Sequence, residues 1–230
     1  MFIHLIVPTL NEADNLRQLL PFLSYELEGK GKIIVTGAGS TDATRAVTEA
    51  NGCVFFESPR PGRGPQMNAA VAAYPDADIY YFVHADTRPP KGFYQDVVQG
   101  VAAGDPVGCY RFRFDMFHPL LAINAYCTRF NALSCRGGDQ SLYVTRQAFE
   151  ELGGFNADMR IMEDYDFIER TQARFPFRII PRSIEVSARK YRANNWFRVQ
   201  MANLRVFRMY KNGAPQQVMI DTYRRMLKPW

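Results

Sequence analysis

The sequence predicts an α/β fold in which helices cover both faces of a mostly parallel central sheet. Short runs rich in Val, Ile, Phe and Tyr alternate with segments of helical periodicity through residues 1–90. Such alternation builds parallel strands joined by crossover helices. The chain has 230 residues, 47% hydrophobic and 13% aromatic, so it can bury one sizeable core and is neither disordered nor fibrous.

The first part of the chain reads as four strands and three helices. Strands are predicted at residues 2–7, 32–36, 53–57 and 79–84. The first helix keeps a leucine face from Leu16 to Leu27, with Asn11 as its N-cap. The next two helices are predicted over Thr41 to Ala50 and Gln66 to Tyr74. Because parallel sheets bind ligands beyond the carboxyl ends of their strands, the loops that follow these strands are candidate sites.

The rest of the chain continues as a less regular α+β pattern. Strands predicted at 107–115 and 140–145 flank an apolar helix over Pro119 to Leu133. No repeat, low-complexity segment or linker divides the chain, so residues 1–230 are predicted to form one domain. Within it, we distinguish residues 1–90, residues 91–195 and the basic C-terminal helices of residues 196–230.

Several features of the sequence bear on the cellular compartment in which the protein works. The longest stretch without Asp, Glu, Lys or Arg has 13 residues, from Met116 to Thr128, whereas a membrane-spanning helix needs about 20 apolar residues. The first residues show neither the charged region nor the cleavage site of a secretory signal. The four cysteines have neither zinc-site spacing nor the pattern of a disulfide framework. The sequence therefore predicts a cytoplasmic protein.

Charge is divided unevenly along the chain. Residues 1–169 contain 14 basic and 21 acidic side chains, a net charge of −7, whereas residues 170–230 contain 14 basic and 2 acidic side chains, a net charge of +12. From Trp196 to Lys211, apolar residues share a helical face that arginines flank. This pattern fits a helix lying on the inner face of an anionic membrane, and it equally fits a core-packed helix with a basic rim. No nucleic-acid-binding motif accompanies the charge, so nucleic acid is not an expected partner.

Four polar clusters could carry chemistry. His84 and Asp86 directly follow the fourth strand, where a carboxylate suits Mg²⁺ or Mn²⁺. The loop from Ser58 to Asn68 is basic and opens onto a helix, an arrangement that could hold a diphosphate through Arg60 and Arg63. The other two clusters are Asp139 with Gln140, and Glu163 with Asp164. Each cluster also has an ordinary structural interpretation, such as a loop cap or a partner of a helix dipole.

Taken together, these clusters belong to an ordered set of motifs. The set comprises VPTLNE (7–12), GSTDAT (39–44), PGRGPQMN (61–68), VHADTRPP (83–90), GGDQSLYV (137–144), LGGF (152–155), IMEDYDF (161–167) and SARKY (187–191). In order and spacing it resembles family 2 glycosyltransferases of the GT-A fold, a Rossmann-like architecture. Within that family, the sequence is most similar to the radical-SAM/selenodomain-associated transferases.

The resemblance implies inverting transfer of a sugar from a nucleotide-diphosphate donor to a hydroxyl acceptor, which in this superfamily is often lipid-linked. It implies a divalent cation, Mn²⁺ or Mg²⁺, at Asp86 and His84, where His84 replaces the first carboxylate of the family's metal motif. It makes Asp164, beside Glu163, the catalytic base, and it places Asp139 and Gln140 near the acceptor or the donor sugar. Residues 1–90 become the donor half and residues 91–195 the acceptor half. The implied donor-binding residues are Pro8, Thr9, Asn11, Glu12, Thr36, Arg63, Gln66, Asn68, Arg189 and Lys190.

One departure from the family's pattern keeps other hypotheses open. The second strand ends in Thr36-Gly37-Ala38-Gly39, where the family usually has carboxylates that contact the nucleoside. This change brings UDP as the donor into question and leaves a catalytically inactive nucleotide- or glycan-binding protein as the main alternative. Gly37 and Gly39, with Glu57 after the next strand, also imitate a dinucleotide fingerprint, but Asp42 stands where the third glycine belongs. A nucleotidyltransferase is disfavoured because no Gly-rich loop follows the first strand.

Overall fold

The computed structural model describes residues 1–229, and eight strands in them form one sheet in the order β3-β2-β1-β4-β7-β6-β8-β5. The strands are β1 (Ile3–Thr9), β2 (Gly31–Gly37), β3 (Val54–Glu57), β4 (Ile79–Phe82), β5 (Thr87–Arg88), β6 (Val107–Phe114), β7 (Leu142–Thr145) and β8 (Phe177–Val186). Strands β1 to β4 pair in parallel, β7 joins β4 and β6 in antiparallel fashion, and β8 runs parallel to β6.

Strand β1 shows why the sheet is covered on both faces. All seven of its residues are buried. Ile3, Leu5 and Val7 pack into one core cluster, and Ile6 packs into a second cluster on the opposite face, because successive side chains of a strand point to opposite faces. The uninterrupted apolar run at the start of the sequence therefore marks a strand buried on both sides.

Residues 1–229 also form ten α-helices. They are α1 (Ala13–Leu27), α2 (Thr44–Ala50), α3 (Arg63–Ala73), α4 (Phe93–Ala102), α5 (Pro119–Cys127), α6 (Arg146–Leu152), α7 (Glu163–Gln172), α8 (Arg189–Ala193), α9 (Trp196–Lys211) and α10 (Gln216–Met226). Helices α1 and α4 cover the face of Ile3, and α3, α6 and α7 cover the face of Ile6. Helices on both faces of a mostly parallel sheet confirm the predicted fold class. None of the helices between residues 1 and 229 combines the length and the apolar character that a membrane crossing requires.

Several predicted boundaries differ from the structure, and three of the differences have a local physical reason. Helix α1 has Glu12 rather than Asn11 at its N-cap, since Asn11 has a left-handed φ of 56° and binds another loop. Strand β4 stops before His84 because the chain turns there, with the Thr87 amide donating to the His84 carbonyl at 3.1 Å. Helix α5 ends at Cys127, not at residue 133, and the buried Arg136 guanidinium binds the carbonyl of Phe130 just beyond, at 2.7 Å.

Candidate active site

A cavity of about 620 Å³ opens at the carboxyl ends of the parallel strands. It lies where the chain order along the sheet reverses, with β2 and β3 on one side of β1 and β4 on the other, the usual ligand position in such sheets. The predicted site residues that line it are Pro8, Thr9, Glu12, Arg63, Gln66, His84, Asp86, Asp139, Asp164, Arg189 and Lys190. The structure thus brings together residues that are up to 182 positions apart in the chain.

The loops after β1 and β2 hold each other in place. The Asn11 backbone N–H donates to Ser40 Oγ at 3.1 Å, and Asn11 Oδ1 accepts from the Thr41 N–H at 2.7 Å. The Asp42 carboxylate accepts from the Ala13 N–H at 3.0 Å. Asn11 and Asp42 are therefore occupied in joining two loops, and Asn11, predicted to bind the donor, does not line the cavity.

Two other predicted donor residues also face away from the cavity. Thr36 is fully buried, and its hydroxyl donates to the Gln66 carbonyl at 3.4 Å. Asn68 uses both ends of its amide on Phe155, donating to the carbonyl at 2.7 Å and accepting from the N–H at 2.9 Å. Thr36 and Asn68 thus tie α3 to its neighbours, and Ala38 lines the cavity at the end of β2.

Arg189 joins two carboxylates across the cavity. Its Nη2 donates to Glu12 Oε1 at 2.9 Å, and its Nε lies 3.1 Å from Asp86 Oδ2. Burial alone would lower the pKa of Arg189, but the hydrogen bond to Glu12 and the charge of Asp86 raise it. The guanidinium therefore remains charged between the loops that follow β1 and β4.

His84 is directed toward Asp139 rather than toward Asp86. Its Nδ1 lies 3.7 Å from Asp139 Oδ1. Burial acts to lower the pKa of His84, but the nearby Asp139 carboxylate raises it overall, and the imidazole in turn holds the pKa of Asp139 below its usual range against the effect of burial. His84 and Asp86 both line the cavity, and their side chains contact different partners, Asp139 and Arg189. Within residues 1–229, no group of three His, Cys, Asp or Glu side chains could hold a metal ion.

Glu163 and Asp164, adjacent in sequence at the start of α7, have different environments. Glu163 is buried, and its carboxylate lies 2.7 Å from Arg63 Nε, which fixes Arg63 at the start of α3. Asp164 lines the cavity. Burial, followed by the charge of Glu163, raises the pKa of Asp164 to about 6. The carboxylate that faces the cavity is therefore ionised at neutral pH and accepts a proton more readily than an ordinary aspartate.

The turn at Gly138–Gln140 packs directly against Asp164. A Cβ at Gly138 would lie 2.8 Å from the Asp164 Cγ and also 2.8 Å from the His84 ring, distances that only glycine allows. Asp139 lines the cavity, whereas Gln140 is buried and lies outside the cavity wall. The Gly137-Gly138 pair in the sequence was the available signal for this close approach.

Sequence reasoning missed the wall that the C-terminal helices add. It consists of Asn203 and Val206 of α9 and of Ile220, Tyr223 and Arg224 of α10, and Arg160 and Tyr165 line the cavity beside it. Tyr165 meets Phe207 of α9 with ring centroids 5.6 Å apart, and the Lys190 Nζ lies 5.7 Å from the centre of the Tyr223 ring. The residues of α9 and α10 belong to none of the motifs and reach the cavity because these two helices lie along it, whereas Tyr165 belongs to the IMEDYDF motif, in which the sequence analysis did not single it out.

A mostly parallel sheet of this order, with carboxylates and arginines around a cavity at its switch point, defines a protein of the GT-A class. Residues 4–142 match the family model of "Glycosyl transferase family 2". The chain therefore belongs to that family and is a glycosyltransferase, as its ordered motifs predicted. The matched range ends before Asp164, so the candidate base lies outside it. Among curated proteins, none gives a significant sequence match.

Solved structures share the fold at low sequence identity. The mannosyltransferase PcManGT from Pyrobaculum calidifontis, in complex with GDP-Man and Mn²⁺, is 19% identical, with a TM-score of 0.70 over 97% of this chain and 69% of that chain. Glucosyl-3-phosphoglycerate synthase from Mycobacterium tuberculosis, with Mn²⁺ and UDP, is 18% identical, with a TM-score of 0.66 over 93% and 81%. S. aureus TarS 1-349 with UDP-GlcNAc is 17% identical, with a TM-score of 0.62 over 82% and 59%. These likenesses establish the fold.

Proposed function

We propose that this protein transfers a sugar from a nucleoside-diphosphate donor to a hydroxyl acceptor with inversion at the anomeric carbon. The observation that carries the proposal is Asp164, a cavity-facing carboxylate whose pKa burial and Glu163 raise to about 6. A general base is most effective when its pKa lies near the working pH. Three cations from two helices line the same cavity: Arg63 of α3, and Arg189 and Lys190 of α8.

In the proposed step, Asp164 accepts a proton and the arginines of the cavity stabilise the leaving group. Asp164 removes the proton from the acceptor hydroxyl while the hydroxyl oxygen attacks the anomeric carbon from the face opposite the diphosphate. The bond from that carbon to the diphosphate oxygen breaks, and the diphosphate leaves with the electron pair. Arg63 and Arg189 stabilise the charge that develops on the leaving diphosphate. Glu163 positions Arg63 through its 2.7 Å ion pair and does not touch the cavity.

The residues of the cavity suit a divalent cation that protein carboxylates and substrate phosphates hold together. Mg²⁺ and Mn²⁺ are commonly held by one or two carboxylates together with substrate phosphates. Asp86 lines the cavity and offers one such carboxylate, with His84 beside it. A bound cation would supply additional neutralisation of the diphosphate charge. The complexes of PcManGT and of the mycobacterial synthase contain Mn²⁺, which supports this part of the proposal.

The identity of the donor base depends on the end of β2. Ala38 lines the cavity there and offers no carboxylate to a uracil N–H. The related structures contain GDP-Man, UDP and UDP-GlcNAc, so both purine and pyrimidine donors occur on this fold. The first experiment must therefore compare several bases.

That experiment is a calorimetric panel of UDP, GDP, CDP and dTDP with and without Mn²⁺. It uses the wild-type protein, Asp164→Asn and Asp86→Ala. We expect one nucleotide to bind in a Mn²⁺-dependent way to the wild type and to Asp164→Asn, and to bind at least tenfold more weakly to Asp86→Ala. Transfer from the matching nucleotide sugar should be lost in Asp164→Asn by about 10²- to 10⁴-fold. Binding without any transfer or donor hydrolysis would favour the inactive binding protein, and no binding of any nucleotide would refute the proposal.

We also propose that the protein works at the inner face of an anionic membrane. Phe197, Met201 and Leu204 form an exposed apolar stripe on α9, spaced at i, i+4 and i+7. Asn124 of α5 and Gln200 of α9 both donate to the Tyr191 hydroxyl, at 3.2 and 3.1 Å, so the two helices flank the same residue. Helix α5 and its flanking loops expose further apolar side chains, namely Phe117, Ile123, Tyr126 and Phe130. A cytoplasmic location, a lipid-linked acceptor and membership of the radical-SAM/selenodomain-associated subgroup are consistent with this proposal and stay predictions.

A further inference from the structure

One wall of the cavity is built by a single face of α10. Ile220, Tyr223 and Arg224 line the cavity at a spacing of i, i+3 and i+4, which places them side by side on a helix. The same face continues to Gln216, whose Oε1 accepts from the backbone N–H groups of Arg160 and Ile161 at 2.9 and 3.1 Å. This contact fixes the segment before α7 against the first turn of α10.

The second observation is that the cations of the cavity differ in how they are neutralised. Arg63 is paired with Glu163 at 2.7 Å, and Arg189 is paired with Glu12 at 2.9 Å and with Asp86 at 3.1 Å. Arg160 and Arg224 also line the cavity, and no carboxylate among residues 1–229 forms an ion pair with either of them. The Arg160 side chain donates one hydrogen bond to the part of the chain that the structure describes, at 3.4 Å to the Gln217 amide oxygen. Arg160 and Arg224 therefore bring two exposed positive charges to this side of the cavity, and no carboxylate of residues 1–229 pairs with them.

The third observation concerns the position of this charge relative to Asp164. Arg160 lies four residues before Asp164, and Tyr165 packs on Phe207 of α9, so the first turn of α7 faces the C-terminal helices. The paired arginines, by contrast, begin α3 and α8, and Arg189 contacts Glu12 and Asp86 in the loops after β1 and β4. A molecule that presents a hydroxyl to Asp164 can extend toward α10 without entering the diphosphate position.

We infer that the acceptor is an anion, a phosphate- or carboxylate-bearing alcohol whose charged group binds Arg160 and Arg224. The inference rests on the proposed function and specifies its acceptor class. Arginine favours this ligand because its planar guanidinium donates paired hydrogen bonds to phosphate or carboxylate oxygens. The anionic group belongs either to a small soluble alcohol or to the headgroup of a lipid.

The test measures acceptor-side binding with the donor side already filled. Protein saturated with the nucleoside diphosphate and Mn²⁺ is titrated with glycerol 3-phosphate, with glycerol, and with vesicles of phosphatidylglycerol or phosphatidylcholine. The variants are Arg160→Gln combined with Arg224→Gln, and the matched control Arg17→Gln combined with Arg45→Gln, exposed positions of α1 and α2 that lie outside both the cavity and α9. We expect one anionic probe to bind, its neutral counterpart not to bind, and the first double variant to weaken binding at least tenfold while the control does not.

The outcomes separate the inference from the function on which it rests. Arginine-dependent binding of glycerol 3-phosphate identifies a soluble acceptor, and arginine-dependent binding of phosphatidylglycerol vesicles identifies a lipid headgroup. Three results would overturn the inference. They are equal binding of charged and neutral probes, no binding of either anion, and binding that the substitutions of Arg160 and Arg224 do not change. Nucleotide affinity is measured on the same samples: if it is normal the proposed function is unaffected, whereas its absence from the wild type would refute the function itself.

Discussion

At the scale of single residues, neighbouring carboxylates acquire different chemistry because a helix turns them in different directions. Glu163 and Asp164 are separated by about 100° around the axis of α7. Glu163 is thereby buried against Arg63, whereas Asp164 reaches the cavity. The buried negative charge of Glu163 then helps to raise the pKa of Asp164. The sequence Glu-Asp alone could not reveal which residue orients a cation and which accepts a proton.

This pKa leads to a prediction for the pH dependence of transfer. Asp164 must be ionised to accept a proton, so kcat/KM should fall about tenfold per pH unit as the pH decreases below about 6. The group's pKa is raised from 3.8, so activity is lost at a higher pH than an ordinary aspartate would produce. The measurement is a pH–rate profile at saturating Mn²⁺ with nucleotide binding followed in parallel. An acid limb near pH 4 would contradict the assignment of Asp164 as the base.

Arg189 provides a second prediction at this scale. Its guanidinium lies 3.1 Å from the Asp86 carboxylate, so a divalent cation that binds there without donor must compete with a positive charge. Arg189→Met should therefore bind Mn²⁺ about tenfold more tightly in nucleotide-free protein. This is the size of effect expected when one positive charge that solvent partly screens is removed beside the cation. It should bind the nucleoside diphosphate more weakly.

The matched control for this experiment is Arg192→Met. Arg192 also forms an ion pair, with Asp115 at 3.0 Å, but it is not among the residues that line the cavity. Mn²⁺ affinity, followed by electron paramagnetic resonance of the free ion, should not change in this variant. If Arg189→Met also leaves Mn²⁺ affinity unchanged, Asp86 is not a cation ligand in the free protein.

At the scale of elements, the local sequence pattern was sufficient to predict those strands and helices whose position depends on burying an apolar face. The apolar runs of β1 to β4 and the leucine face of α1 identified the parallel part of the sheet. A helix or strand that buries one face must repeat apolar residues at the spacing of that helix or strand. Roles fixed by long-range hydrogen bonds were not predictable. Asn68 binds the backbone of Phe155, and Thr36 binds the backbone of Gln66, contacts that no spacing within either motif encodes.

The contact between the Gly138–Gln140 turn and α7 gives a prediction at the scale of elements. Gly138→Ala places a methyl group 2.8 Å from the Asp164 Cγ, so the carboxylate or the turn must move. Overpacking of this kind costs about 1–3 kcal/mol of stability. Because Asp164 is displaced from its position, we expect transfer to fall by at least about 100-fold in kcat.

Gly137→Ala is the natural control because it alters the adjacent residue of the same turn. A Cβ at Gly137 would meet only the Tyr165 hydroxyl, at 3.7 Å, which is ordinary van der Waals contact. Its φ of 168° is extended and accessible to any residue. Thermal denaturation and steady-state kinetics should show Gly137→Ala close to wild type. Equal loss of activity in both variants would indicate a general effect on the turn and not a displaced base.

At the scale of the whole molecule, charge and exposed apolar surface occur on the same C-terminal helices. Residues 170–230 carry a net charge of +12, and α9 contains no acidic residue. The buried side of α9, with Val199, Ala202 and Val206, accounts for the core-packed interpretation of this helix, and Val199 and Ala202 share a cluster with Leu227. Its other side leaves Phe197 67% and Met201 57% exposed. An interfacial helix requires this combination of apolar side chains and flanking cations.

This arrangement predicts binding to anionic lipid vesicles through α9. Phe197→Ser combined with Met201→Ser and Leu204→Ser should reduce flotation with phosphatidylglycerol vesicles at least tenfold, because it removes apolar side chains that insert between headgroups while retaining every cation. Tyr25→Ser, an equally drastic change at a 75% exposed position of α1, is the control and should float like the wild type. Raising NaCl from about 0.1 M to about 1 M should weaken the binding of all three proteins, since salt screens the electrostatic part. Binding that depends on salt alone, with no effect of the triple substitution, would show that the basic charge attracts the vesicle without insertion of α9.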